Sequence, residues 1–226
     1  MLVVARALLG QLLVRRVRRR RREGADTFLV GRIVETEAYG GRLDPASHSF
    51  RGRTPRCATM FGPVGRLYVY FTYGNHFCAN VVGGSRRDAT AILLRAIEPV
   101  AGVEAMRRLR LARTKPGATA DAIARGELDL LLGRGPGNLT AALGLDRDDD
   151  GSDLTTADEI WLAAGAPASS VIWTPRVGLG TNQAAPWLWR CVDAASAATT
   201  RVPEKWPSVG SPIPSLAEAR ALAHRR

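Results

Sequence analysis

Residues 28–35 read Phe-Leu-Val-Gly-Arg-Ile-Val-Glu, and an earlier apolar run, Leu-Leu-Val-Arg-Arg-Val, occupies residues 12–17. Five consecutive arginines at residues 18–22 and the turn-forming stretch Glu-Gly-Ala-Asp at residues 23–26 separate the two runs. Two apolar runs joined by a turn-rich segment predict a β-hairpin. We expect the arginines to form its exposed end, either as a solvated loop or as a contact to phosphates.

A second hairpin is predicted further along the chain. Residues 67–71 and 79–82 are apolar, aromatic-rich runs, and Tyr-Gly-Asn-His lies between them at residues 73–76. Since glycine and asparagine suit tight turns, we place the hairpin tip near Gly74-Asn75. A short apolar strand over residues 91–97 follows, and we expect it to end at the Glu-Pro pair behind it.

Helical spacing of apolar residues predicts helices around these strands. The first covers residues 3–13, the second covers residues 103–112, and a short third helix lies within residues 113–135. Another helix is predicted over residues 139–143, with Asn138 as its N-cap. Hairpins mixed with scattered helices indicate an α+β domain: a mainly antiparallel, curved β-sheet with surrounding helices and a protruding β-hairpin.

Length and composition suit one globular domain. The chain has 226 residues, of which 46% are hydrophobic and 23% are charged. We assign residues 1–200 to the domain and residues 201–226 to a Pro-rich tail with a short terminal helix. No run approaches the ~18 uninterrupted apolar residues of an ordinary membrane span. Three scattered cysteines without a CxxC pair argue against a zinc ribbon, an iron–sulfur cluster or a disulfide scaffold, and favour the cytoplasm.

The charge balance points to a polyanionic partner. The formal net charge is +11, from 32 basic and 21 acidic residues, and only Lys115 and Lys205 among the basic residues are lysines. Nucleic acid is the commonest such partner, although some basic proteins are merely soluble. Arginine forks suit phosphates, but an arginine bias also follows from a GC-rich genome.

Aromatic residues are concentrated in one part of the chain. The four tyrosines are Tyr39, Tyr68, Tyr70 and Tyr73, and the histidines His48 and His76 lie in the same neighbourhood. Strands favour aromatic residues, but clustering of this kind together with basic charge is typical of proteins that stack on nucleobases.

A strand over residues 34–39 would place Glu35, Glu37 and Tyr39 on one face. This face is either an exposed strand surface or a carboxylate base beside an aromatic platform. A metal site is disfavoured, because no matching His/Asp set follows at helical or hairpin spacing.

Two polar residues interrupt apolar strands. Arg95 is the only charge within residues 91–97, and an arginine in a central strand needs an anionic partner. That partner is either a structural carboxylate such as Glu98, or a phosphate or catalytic carboxylate. Asn80 stands among apolar neighbours after the hairpin tip, where it either bonds to the backbone or faces a ligand.

These residues belong to an ordered series of short motifs. The series is Gly31-Arg32-Ile33-Val34-Glu35-Thr36-Glu37-Ala38-Tyr39, Asp44, Ala46-Ser47-His48-Ser49, Arg53-Thr54-Pro55-Arg56, Met60-Phe61, Gly65-Arg66-Leu67-Tyr68-Val69-Tyr70, Tyr73-Gly74, Leu93-Leu94-Arg95-Ala96-Ile97-Glu98-Pro99, Gly135-Pro136-Gly137-Asn138-Leu139 and Arg176-Val177-Gly178. The order resembles the alkyladenine (3-methyladenine) DNA glycosylase family over roughly residues 5–190. That family consists of monofunctional base-excision enzymes with a mixed α+β fold.

The resemblance implies a role for each motif residue. Glu37 is similar to the family's general base and Arg95 would help to hold the water or an adjacent phosphate. Tyr73 resembles the intercalating tyrosine that fills the gap left by a flipped nucleotide. The walls of the base pocket would be Tyr39, His48 and Tyr70, with Asn80 against the base edge.

The expected substrate is duplex DNA containing alkylated or deaminated purines, and the expected enzyme is a nucleoid-associated monomer that needs no metal or other cofactor. A Schiff-base lyase needs an amine, but both lysines lie outside the motifs, so water is the favoured nucleophile. Two alternatives remain. A non-enzymatic nucleic-acid-binding protein leaves Glu37 unexplained, and a nuclease would be expected to carry a metal-binding carboxylate cluster.

Overall fold

The fold is described from a computed structural model that covers residues 1–18, 25–72, 74–84 and 87–202, together with the backbone of residues 209–210. The described helices are α1 (Leu2–Ala7), α2 (Val103–Ala112), α3 (Ala118–Ala124) and α4 (Pro136–Leu143). The described strands are β1 (Leu12–Val17), β2 (Thr27–Tyr39), β3 (Leu67–Thr72), β4 (His76–Val82), β5 (Ala91–Ala101), β6 (Gly133–Arg134), β7 (Ile160–Ala163), β8 (Val171–Thr174), β9 (Arg190–Asp193) and β10 (Val209–Gly210). Short 3₁₀ turns lie at Gly41–Leu43, Pro55–Phe61, Asp129–Leu131 and Arg147–Asp149.

The ten strands of the described residues form one antiparallel sheet, in which seven strands follow the order β10-β8-β9-β2-β5-β4-β3. The other three branch from this path, since β1 pairs with β2 and β7, and β6 pairs with β5. Strand β2 is its centre, because β1 and β9 pair with successive parts of one edge while β5 follows the other edge. Three register shifts between β2 and β5 bend the sheet. The predicted α+β class with a mainly antiparallel, curved sheet is therefore confirmed.

Both predicted hairpins are present. Strand β1 pairs with β2, and β3 pairs with β4 from Leu67↔Val81 to Thr72↔His76. Gly74 lies in the second turn with φ +71°, a backbone conformation that glycine adopts without strain. Residues 19–24, which include most of the arginine run, lie outside the described part of the chain, as do Tyr73 and most of the residues after Val202.

The first helix is shorter than predicted. It ends at Ala7 instead of Leu13, because the apolar residues that follow form β1, which pairs with both β2 and β7. Gly10 makes the change of direction with φ +86°, and a Cβ there would lie 2.0 Å from the carbonyl oxygen of Ala166. Pairing of β1 on both edges outweighs the helical spacing of its leucines and valines.

Two further boundaries differ from the prediction. Strand β5 continues through Pro99 to Ala101. Proline is tolerated there because Pro99 lies beyond the residues of β5 that pair with β4 and β6, so its missing N–H interrupts neither of these ladders. Helix α4 begins at Pro136 with Gly135 as its N-cap, so the prediction that Asn138 is the N-cap is wrong. Proline suits the first helical position, and the Asn138 side chain instead donates to the carbonyl of Arg134.

A large apolar core fills the space between the sheet and the helices, and a small separate cluster lies beneath the loop after β2. The small cluster is Cys57, Met60, Tyr68, Val82, Ala89 and Ala91. It supports the 3₁₀ turn Pro55–Phe61 against β3 and β5. The three cysteines are free and buried. None of the described helices has the length and apolar content of a membrane span.

Candidate active site

A cavity of about 210 Å³ opens where the β3–β4 hairpin meets β2 and β5. Five residues predicted for the site line it: Tyr39, His48, Tyr70, Asn80 and Arg95. The other lining residues are Ala46, Met60, Tyr68, Thr72, Cys78, Ala91, Leu93, Pro136, Val177, Gly178 and Leu179. Of the remaining two predicted residues, Glu37 lies behind the lining, and Tyr73 lies outside the described residues.

Strand register brings the site together. Glu37 on β2 pairs with Leu93 on β5, Leu93 pairs with Asn80 on β4, and Asn80 pairs with Tyr68 on β3. Residues directly opposite each other in an antiparallel sheet point to the same face. A single row across four strands therefore places Glu37, Asn80 and Tyr68 on the same face of the sheet.

The Glu37 carboxylate is completely buried, so the interpretation of this strand face as exposed is wrong. Its Oε1 accepts a 2.7 Å hydrogen bond from the backbone N–H of Val177 and lies 3.3 Å from Nη1 of Arg95. Its Oε2 accepts from the Tyr39 hydroxyl at 2.9 Å. Two hydrogen-bond donors and the nearby Arg95 guanidinium thus hold the carboxylate in place behind the wall of the cavity.

The anionic partner of Arg95 is Glu35, not Glu98. Arg95 Nε donates to Glu35 Oε1 at 2.7 Å, whereas Glu98 pairs with Arg32. Burial alone would raise the pKa of Glu35, but the charges of Arg95 and Arg190 outweigh it and hold that pKa below its ordinary value. Burial opposes the charge of Arg95, yet Glu37 and Glu35 raise the pKa of its guanidinium. Arg95 therefore contacts two carboxylates: Glu35, which has a structural role, and Glu37, which is the candidate catalytic group.

Tyr39 is fixed by an arginine that the sequence analysis did not place in the site. The Arg176 guanidinium lies 4.7 Å from the centre of the Tyr39 ring and 5.0 Å from that of Trp189. It is 2% exposed and forms a two-pronged ion pair with Asp44, at 2.6 and 2.9 Å. The Arg-Val-Gly motif at residues 176–178 was the available signal, since Arg176 orients Tyr39 and Val177 binds Glu37.

His48 and Tyr70 line the cavity as a pair of contacting rings. Their ring centres lie 4.6 Å apart at an interplanar angle of 77°, and His48 Nδ1 is 3.0 Å from the Tyr68 hydroxyl. Loss of solvent around the ring and the positive charge of Arg56 lower the pKa of His48 to about 4, so the imidazole is neutral at physiological pH. Burial raises the pKa values of Tyr68 and Tyr70, and these side chains are neutral too.

Asn80 has a structural contact as well as a face on the cavity. It is 3% exposed, and its Nδ2 donates a 3.1 Å hydrogen bond to the carbonyl of Tyr68, its partner in the β3–β4 register. This bond fixes the plane of the amide against the cavity. The expected backbone bond is therefore present, and the same side chain also lines the cavity.

The segment that carries His48 is rich in exposed arginines. They are Arg42, Arg51, Arg53 and Arg56. The guanidinium of Arg56 lies 5.3 Å from the centre of the Tyr70 ring, at the edge of the cavity. The only acidic residue between positions 41 and 66, Asp44, is buried and paired with Arg176, so this segment presents net positive charge that suits a phosphate backbone. Within the described residues, no group of three or more His, Cys, Asp or Glu side chains is placed to hold a metal ion.

Comparison with known proteins gives a consistent result. A family profile described as methylpurine-DNA glycosylase (MPG) matches residues 1–196. A mouse protein named DNA-3-methyladenine glycosylase is 45% identical over 183 residues, which is 78% of this chain and 51% of the mouse protein. A Burkholderia cenocepacia protein, named as an inferred 3-methyladenine DNA glycosylase, is 46% identical over 162 residues, or 70% of this chain and 72% of that protein. A Carboxydothermus hydrogenoformans protein with the same type of name is 39% identical over 188 residues, covering 82% and 87% of the two chains.

Proposed function

The chain belongs to the methylpurine-DNA glycosylase family, and from this premise we propose that its cavity receives damaged purines flipped out of duplex DNA. The protein is a DNA glycosylase of base-excision repair. Its substrates are alkylated or deaminated purines, and water cleaves their N-glycosidic bond. The observation that carries the proposal is the buried Glu37 carboxylate behind a cavity lined by Tyr39, His48 and Tyr70.

Glu37 is the general base in this proposal. It accepts a proton from a water whose oxygen forms a bond to C1′ of the deoxyribose, while the C1′–N9 bond breaks and its electron pair leaves with the purine. The negative charge of Glu37 also stabilises the positive charge that develops on the sugar. Arg95, which contacts Glu37 at 3.3 Å, helps to hold the water or the adjacent phosphate.

The pocket selects purines by stacking. Tyr39, His48 and Tyr70 are neutral rings around a small cavity, and an electron-poor alkylated purine is attracted to electron-rich rings as a cation is. Asn80 opposes guanine, because the exocyclic N2 amino group of guanine would meet the fixed amide. Tyr73 at the hairpin tip intercalates into the duplex and fills the gap left by the flipped nucleotide.

Water is the nucleophile in place of an amine. None of the described residues that line the cavity is a lysine, and Lys115 is an exposed residue outside the lining. A lyase that forms a Schiff base would need such an amine. In this proposal the enzyme is monofunctional and leaves an intact abasic site, and it acts as a monomer on cytoplasmic, nucleoid-associated DNA.

The test is the release of bases from methylated duplex DNA in EDTA, followed by alkali to cleave abasic sites. The proposal expects strand breaks that appear only after alkali. A protein that only binds nucleic acid leaves no abasic sites, and a metal-dependent nuclease is inactive in EDTA. Breaks without alkali treatment would contradict the assignment of a monofunctional enzyme.

A further inference from the structure

Glu35 is the centre of a contact network that reaches a residue beyond the part of the chain matched by the family profile, which ends at 196. Thr200 donates to this carboxylate from its backbone N–H at 2.7 Å. Its hydroxyl lies 2.7 and 2.9 Å from the two Glu35 oxygens. The segment after β9 is thereby fastened to the strand that carries the candidate general base.

The Thr200 hydroxyl also connects Glu35 with a second buried arginine. Arg190 Nη2 donates to the Thr200 hydroxyl at 2.8 Å and to its carbonyl at 2.9 Å, while Arg190 Nε donates to Glu35 Oε1 at 2.7 Å. The hydroxyl can accept from the guanidinium and donate to the carboxylate at the same time. Every polar group of Thr200 is therefore used in this network.

The network around Glu35 sets the orientation of the Arg95 guanidinium relative to the Glu37 carboxylate. Glu35 Oε1 holds Nε of Arg95 at 2.7 Å, and the closest contact between that guanidinium and Glu37 is 3.3 Å, from Nη1. An arginine and a carboxylate free to move prefer a two-pronged pair with two short bonds. Such a pair would occupy Glu37 oxygen positions that an attacking water needs. The short bond from Nε to Glu35 holds the guanidinium in an orientation in which that pair is not formed.

We propose that Thr200 is a positioning residue for base excision, because its hydroxyl holds Glu35 in the orientation that keeps Arg95 from closing onto Glu37. The inference rests on the proposed function of Glu37 as general base. Thr200 does not line the cavity, so it acts through Glu35 and Arg95 without touching the substrate.

The experiment compares Thr200→Val, which has the same shape without the hydroxyl, with Thr200→Ser, which keeps it. Thr199→Val is the matched control, because the neighbouring hydroxyl bonds to the carbonyl of Ser196 and not to Glu35. Single-turnover release of ethenoadenine from a short duplex, the duplex Kd and the Tm are measured for each variant and for the wild type. Should Thr200→Val fail to fold, Thr200→Ala carries the same test.

The expected result is a single-turnover rate for Thr200→Val lowered by about tenfold or more, since a hydrogen bond to a charged group is lost. Its duplex Kd stays at the wild-type value, and Thr200→Ser and Thr199→Val excise at the wild-type rate. Wild-type excision by Thr200→Val, or equal losses in Thr200→Ser or Thr199→Val, would overturn the inference. Failure of the proposed function is a separate result, because the wild type itself would then release no base.

Discussion

The Tyr39 hydroxyl donates a 2.9 Å hydrogen bond to Oε2 of Glu37, two residues earlier on β2. This bond couples the orientation of the ring that borders the cavity to that of the carboxylate behind it. Burial and the charge of Glu37 raise the pKa of Tyr39, so the phenol stays protonated and remains a donor. The Glu37 carboxylate is thus fixed beside the cavity and is itself fully buried, and this arrangement underlies the first prediction.

Glu37→Gln is expected to bind a lesion duplex and to lose excision. The amide cannot take a proton from water, and a positioned general base contributes on the order of 10²–10⁴ in rate. Single-turnover excision and duplex affinity, measured on the same lesion, separate the two effects. Excision at the wild-type rate would exclude Glu37 as the base.

The structure changes the choice of control for this variant. Glu35→Gln, a natural control from the sequence alone, removes the carboxylate shared by Arg95 and Arg190 and so disturbs the site itself. Glu98→Gln is the better control, because Glu98 pairs with Arg32 and its side chain is 30% exposed. We expect Glu98→Gln to excise normally.

Tyr73→Ala is expected to lower excision from duplex DNA by about 5- to 150-fold, because a stacking side chain contributes roughly 1–3 kcal/mol. Tyr73→Phe keeps the ring and should retain most of the activity. Excision of one lesion by the three proteins is the measurement. Equal damage by both substitutions would show that the hydroxyl, and not stacking in the duplex, is the important group.

Asn80→Ser is expected to raise the release of undamaged guanine more than that of hypoxanthine. Serine lacks the amide that faces the N2 amino group of guanine, so the variant should lose ~1–3 kcal/mol of discrimination against guanine. The variant also loses the 3.1 Å bond to the Tyr68 carbonyl, so the Tm should fall slightly. A uniform fall of both excision rates together with the Tm would reduce Asn80 to a structural residue.

Acid should destabilise the protein through Glu35. The pKa of this carboxyl lies below the value of 4.5 that it has when unfolded, so its stabilising effect is complete above about pH 4.5 and is lost as the pH falls through the folded-state pKa. Removing one partner of a buried ion pair costs about 3–5 kcal/mol. Thermal unfolding of wild type and Glu35→Gln across the acid range is the measurement. The stability difference between them should be largest near neutrality and shrink below about pH 4.5, and a difference independent of pH would contradict this account.

Local patterns determined much of the architecture. Alternation along residues 34–39 placed Glu35, Glu37 and Tyr39 on one face, and the register of the folded sheet adds that Glu37 and Asn80 share a row through Leu93. Turn residues marked both hairpins, and helical spacing marked α2 over Val103–Ala112 with its observed bounds. These features depend on the strand pleat and the helical turn, which neighbouring residues set by themselves.

Only the tertiary structure decided the partners of those residues. Glu35 meets Arg190 and Thr200, Glu37 meets the Val177 N–H, and Asp44 meets Arg176, across separations of 132 to 165 residues. Such contacts depend on strand order, register and loop closure, which no local period encodes. For the same reason the spacing of the first apolar run predicted a helix to Leu13, although pairing with β2 and β7 makes its second half a strand. Local sequence set which side chains point the same way, and the long-range pairing of the sheet determined which charges face each other in the buried site.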